Sequence, residues 1–148
     1  RKLTNLFEGL EEVFKEFNMP MVYPMHPRAK KMVETLGIKV PACIKVVEPI
    51  GFYDFLKLEK EARLIFTDSG GVQEESCIFN VPCVTLRENT ERPETLEIHS
   101  NMLAGTSPDR IVNAAKMMMS SNRKWKQPFG DGRTAEKIIK ILMEKLGG

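Results

Sequence analysis

Phe66-Thr67-Asp68-Ser69-Gly70-Gly71-Val72-Gln73-Glu74-Glu75 is the stretch that decides the fold. An apolar run, Arg63-Leu64-Ile65-Phe66-Thr67, reads as a strand. Two glycines then permit a tight turn, and a helix follows to about Asn80. The first N–H groups of a helix have no intrahelical partner, so this turn favours an anion. The glycines let a phosphate approach the backbone. An ordinary strand-to-helix turn, capped by Asp68 or Ser69, fits the same spacing. Val72 lies three residues after Ser69, so no capping box starts there. The reading places Glu74 and Glu75 in the first helical turn. There the helix dipole stabilises a carboxylate, which can also accept ribose hydroxyls.

The pattern repeats on both sides. Upstream, Leu3, Leu6, Phe7, Leu10, Val13, Phe14 and Phe17 recur at spacings of three and four, which predicts an amphipathic helix stopped by Asn18 and Pro20. Met21 to Met25 predicts a strand with Pro24 at its end or on an edge, and Pro27 starts a helix that Gly37 stops. Ile44 to Val47 is a second strand, and Tyr53 to Glu61 a helix. Downstream come strands at Pro82–Leu86 and Asn101–Gly105. A helix around Ile111, Val112, Ala115, Met118 and Met119 has Ser107 as its N-cap, and a last helix runs from Thr134. Short apolar strands separated by helices predict parallel pairing with right-handed crossovers. The expected fold is therefore α/β: a doubly wound, Rossmann-like domain with a mainly parallel sheet. Such sheets bind ligands beyond the carboxyl ends of their strands. A helix comes first, where such domains begin with a central strand. Together with an Arg1-Lys2-Leu3-Thr4 opening that lacks Met, this suggests a missing first strand.

Composition excludes several classes. The chain has 148 residues, 42% hydrophobic and 28% charged, which suits one globular domain. Its net charge of +2 offers no electrostatic footprint for nucleic acid or a membrane surface. No apolar run approaches the roughly 18–20 residues of a membrane span. Cys43, Cys77 and Cys83 show no metal-ligand spacing and read as small buried hydrophobes. The cysteine usage suits a reducing cytoplasm. No metal or other cofactor has an evident ligand set.

Four further groups follow strands or precede helices. Arg92, in Thr90-Glu91-Arg92-Pro93-Glu94, is kept out of the helical region by Pro93, and a guanidinium fixed there can grip phosphate. A solvated charge run is the alternative. His26, in Met25-His26-Pro27, is either a ligand contact or a capping residue. Phe55 stacks on a base or packs in the core. Phe129-Gly130-Asp131-Gly132-Arg133 reads as a loop.

Taken in order, these motifs resemble the C-terminal half of the non-hydrolysing UDP-N-acetylglucosamine 2-epimerases. The resemblance covers His26-Pro27, Glu48-Pro49 with Phe55, Thr67 to Glu75, Thr90 to Glu94, and Gly130-Asp131-Gly132. It implies the two-domain GT-B architecture, with residues 1–148 as a single UDP-binding domain and the N-terminal domain outside the chain. Ser69 and Gly70 resemble the pair that binds the UDP diphosphate, and Glu75 the carboxylate on the ribose. Phe55 resembles the residue beside the uracil. Arg92 and His26 resemble side chains facing the diphosphate and sugar. The implied reaction converts UDP-N-acetylglucosamine to UDP-N-acetylmannosamine by eliminating and re-adding UDP through 2-acetamidoglucal. No cofactor is implied. The catalytic acid/base residues are expected outside these residues, so the chain alone is expected to be inactive. The full-length relatives imply a cytoplasmic homodimer serving polysaccharide biosynthesis. A GT-B glycosyltransferase half, or a non-catalytic UDP-sugar module, is the alternative.

Overall fold

The computed structural model describes residues 2–146. Helix α1 (Lys2–Phe17) leads into strand β1 (Met21–Pro24), helix α2 (Pro27–Thr35) and strand β2 (Ile44–Val47). Helix α3 (Phe52–Glu61) precedes β3 (Ile65–Thr67), α4 (Gly70–Ile78) and β4 (Cys83–Thr85). The short α5 (Pro93–Glu97), β5 (Asn101–Leu103), α6 (Pro108–Met119) and α7 (Thr134–Leu146) complete the order. Pro24 is the last residue of its strand, where its missing N–H costs least.

Every strand pairing is parallel, as the alternation of strands and helices requires. The strands form two groups, β1-β2 and β3-β4-β5. Within each group the strands follow chain order. Among the described residues no strand pairs one group with the other. The two groups nevertheless share a core. Tyr23 of β1 senses the charge of Asp68, just beyond β3. Met21 and Leu10 pack into both apolar clusters.

α1 ties the groups together because its apolar stripe is wide. Phe7 faces Met25, Val33 and Ile44, while Val13 faces Val84, Ile111 and Met118. Gly9 allows the helices to meet closely: a Cβ there would lie 2.8 Å from Ile111 Cδ1 and 3.1 Å from the Pro108 backbone. Strand alternation sorts β4. Val84 faces α6, whereas Cys83 and Thr85 face α4 and its neighbours. Cys77 and Cys83 are fully buried free thiols, and Cys43 is half-buried.

Candidate functional site

α4 begins at Gly70, directly after the extended Ser69. The Ser69 side chain makes no capping hydrogen bond; its backbone N–H donates instead to Thr67 Oγ1, at 3.0 Å. The Ser69 hydroxyl therefore stands at the helix start without an intramolecular task among the described residues. The alternative of a cap from the Ser69 side chain is thus not what the structure shows. The placement of Glu74 and Glu75 in the first turn is corrected too: with the helix starting at Gly70, that turn holds no acidic residue. Both carboxylates lie one turn further on.

Arg92 arrives from the other side of β4. Its backbone (φ −128°, ψ 63°) lies outside the helical region ahead of Pro93, as the proline requires, and it is the N-cap residue of α5. Its guanidinium passes over the glycine turn: a Cβ at Gly70 would lie 3.7 Å from Arg92 Cζ. Nε donates to Glu74 Oε1, and Nη1 donates to the Glu91 carbonyl at 2.9 Å. Arg92 is therefore an oriented cation beside a helix N-terminus, where the charge-run alternative would have left it solvated. Arg87 adds a second guanidinium on the same edge, donating to the Asp68 carbonyl at 3.4 Å.

A buried polar network holds this arrangement. Gln73 of α4 and Asn101 of β5 are almost fully buried, as are Thr85 and Thr95. Gln73 Oε1 accepts from the Thr90 hydroxyl and from Asn101 Nδ2, the latter at 3.1 Å. Asn101 also donates to Thr95 Oγ1 at 3.1 Å and accepts from Thr85 Oγ1 at 2.8 Å. Thr95 Oγ1 donates to the Arg92 carbonyl at 2.7 Å, and the Arg92 N–H donates to Thr90 Oγ1 at 3.0 Å. Both backbone polar groups of Arg92 are thereby tied to α4 and β5. Buried hydrogen bonds that are all satisfied define one geometry, because any alternative leaves a desolvated group unpaired. Sequence reading missed Gln73 and Asn101. The usable signal was polar Thr85 and Asn101 in otherwise apolar strands.

The other predicted residues lie around this centre. Glu75 is half-buried on α4. Phe55 is half-buried on α3, which packs against α4. Near it, the Phe52 and Tyr53 rings meet edge to face and are 63% and 84% exposed. His26 is exposed and caps α2, its Nδ1 accepting from Arg28 N at 3.2 Å. That is the capping role. No hydrogen bond joins His26 to the α4 group among the described residues. Ser69, Gly70 and Arg92 are thus brought together, Glu75 and Phe55 flank them, and His26 stands apart after β1.

A doubly wound parallel α/β domain of this kind has the architecture of one half of a GT-B protein. The chain belongs to the UDP-N-acetylglucosamine 2-epimerase family, whose description matches residues 1–143. It is 48% identical over 144 residues to UDP-N-acetylglucosamine 2-epimerase of Methanococcus maripaludis, covering 95% of this chain and 39% of that protein. It is 35% identical to the UDP-2,3-diacetamido-2,3-dideoxy-D-glucuronate 2-epimerase of Pseudomonas aeruginosa, covering 95% of this chain and 39% of that protein. The Methanocaldococcus jannaschii UDP-GlcNAc 2-epimerase, solved in complex with UDP-GlcNAc and UDP, superposes with a TM-score of 0.89 at 44% identity. That match covers 97% of this chain and 41% of the other. The chain spans about two fifths of the length of the relatives it matches.

Proposed function

We propose that this chain is the UDP-binding half of an enzyme that epimerises UDP-N-acetylglucosamine at C2 to UDP-N-acetylmannosamine. The observation that carries this reading is the Arg92 guanidinium held over Gly70 at the start of α4. The diphosphate sits there, on the Ser69 hydroxyl and the first N–H groups of α4. Glu75 takes the ribose hydroxyls, Phe55 lies beside the uracil, and His26 faces the sugar side. Breaking the C1–O bond takes the diphosphate from two negative charges to three, so fixed donors and a cation aimed at it stabilise the charge that develops. The donors are set before the reaction, so little reorganisation is needed. UDP then re-adds to 2-acetamidoglucal after reprotonation of the opposite face. The proton-transfer groups are supplied from outside these 148 residues, in a homodimeric cytoplasmic protein.

Calorimetric titration of UDP, together with a conversion assay on the gluco and manno UDP sugars, tests this. UDP should bind weakly, Arg92→Ala and Ser69→Ala should weaken it further, and the chain alone should show no turnover. Unchanged affinity in both variants would remove the site assignment. Conversion by the isolated chain would remove the claim that proton transfer comes from elsewhere.

A further inference from the structure

Glu59 has no part in the reading above, and its surroundings are unusual for a carboxyl group. It lies on α3, is 4% exposed, and neither carboxyl oxygen has a hydrogen-bond partner that is a donor. A buried carboxylate without a cation or donor is costly, so such a group keeps its proton. The groups facing it come from two elements. α4 contributes Glu75, within hydrogen-bonding reach, and β4 contributes the buried Cys83 thiol, which senses the Glu59 charge. Cys77 of α4 lies next to Cys83 in the same cluster. Among the described residues neither Glu59 nor Glu75 belongs to an ion pair; the neighbouring Glu74 is the one that holds Arg92.

Two adjacent carboxyl groups with no cation between them share one proton, because both cannot ionise cheaply at that distance. The better buried partner retains it. We propose that Glu59 is a positioning residue for Glu75: its carboxylic O–H donates to one Glu75 oxygen and turns the other toward the nucleotide. This rests on the reading of Glu75 as the ribose-facing carboxylate. Burial first, and the Glu75 charge second, push the Glu59 carboxyl up from its ordinary value of 4.5 to about 8. Glu59 is therefore a donor at neutral pH. Above about 8 it ionises, repels Glu75 and releases it from that orientation.

The test uses the whole chain with UDP and 2′-deoxy-UDP as paired probes. The ratio of the two affinities reports the ribose contact and cancels ionisation of the uracil. In the wild type the preference for UDP should shrink several-fold between pH 7 and pH 9. Glu59→Gln keeps an N–H donor that does not titrate, so its preference should persist across that range. An infrared pH titration should show a protonated-carboxyl carbonyl band at pH 7 that disappears near pH 8 and is absent in Glu59→Gln. Absence of that band in the wild type, or identical pH profiles for wild type and Glu59→Gln, overturns the proposal. Glu75→Gln separates the two levels of the argument. If it leaves the UDP preference intact, the ribose reading of Glu75 fails, while the infrared band still reports whether Glu59 carries the shared proton.

Discussion

The guanidinium of Arg92 lies over Gly70, 3.7 Å from where a Cβ at that position would be. Gly70 and Arg92 are 22 positions apart in the chain, yet both lie at the same edge of the parallel sheet. Parallel pairing of β3 with β4 causes this, because both strands finish on one side. A side chain at position 70 would fill the space between guanidinium and helix start, which is where a diphosphate would sit. Gly70→Val should therefore lose UDP binding in a titration while retaining the helical circular dichroism of the wild type.

Arg92→Lys should weaken UDP about tenfold, equivalent to roughly 1.4 kcal/mol. An ammonium is a point charge and cannot hold Glu74 and the Glu91 carbonyl with a fixed planar fork. Stability should fall by no more than about 1 kcal/mol, because the ion pair with Glu74 is partly solvated. Calorimetry and urea melts on the same protein separate these effects. An equal affinity for the lysine variant would mean that charge alone matters.

Ser69→Ala isolates the hydroxyl. It caps nothing in the structure, so the urea midpoint should not move. UDP affinity should drop by the value of one hydrogen bond, about 0.5–1.5 kcal/mol. A clear loss of stability would mean that Ser69 is a structural cap after all.

Gln73→Leu should cost both stability and binding. Thr90 loses its acceptor, and Asn101 Nδ2 loses one of its two partners. The stranded buried groups should destabilise the chain by about 1–3 kcal/mol. UDP affinity should fall as well, since Thr90 anchors the Arg92 N–H. Unaltered affinity in a folded Gln73→Leu protein would mean that the network does not position the arginine.

Gly9→Ala tests the packing of α1 on α6. The added methyl meets Ile111 and the Pro108 backbone, and the backbone cannot yield cheaply. Overpacking should destabilise by about 1–3 kcal/mol, read as a lower urea midpoint. UDP affinity measured where the variant remains folded should be unchanged.

Stability should also depend on pH through Glu59. Its folded pKa of about 8 lies above the ordinary 4.5, so the folded state binds more protons between these values. The contribution is fully present below pH 4.5, declines as pH rises, and is gone above about 8. Glu59→Gln should flatten that part of the profile in urea melts at a series of pH values. A wild-type slope unchanged by the substitution would assign the pH dependence to other groups.

Much of the site was legible because local chemistry dictates it. Glycine at position 70, after a strand and before a helix, marks a tight turn whose free N–H groups are able to receive an anion. Pro93 keeps Arg92 out of the helical region by sterics alone. Apolar periodicity located all five strands and the six long helices, although the strand at Arg63–Thr67 begins at Ile65 and the one at Pro82–Leu86 is confined to Cys83–Thr85. Pro93 signalled the start of α5, although its five residues carry too little periodicity to give its length. Glu74 and Glu75 were put one turn too early because a helix boundary depends on where the hydrogen bonds begin. The role of His26 was undecided by its neighbours; in the structure its Nδ1 accepts from the Arg28 N–H while the residue stays exposed.

By itself, then, the order of residues determined the parallel α/β layout and a glycine turn open to an anion, because these follow from backbone sterics and strand–helix alternation; the family resemblance singled out Ser69, Gly70, Glu75 and Arg92. Only the tertiary structure decided what orients them. Gln73, Asn101, Thr85 and Thr95 come from four separate elements, and their hydrogen bonds exist only once β4 and β5 pair and α4 and α5 pack on them. Glu59 and Glu75 are sixteen positions apart, on different helices. The proton they are proposed to share depends on burial, which is a property of the assembled core rather than of any stretch of chain.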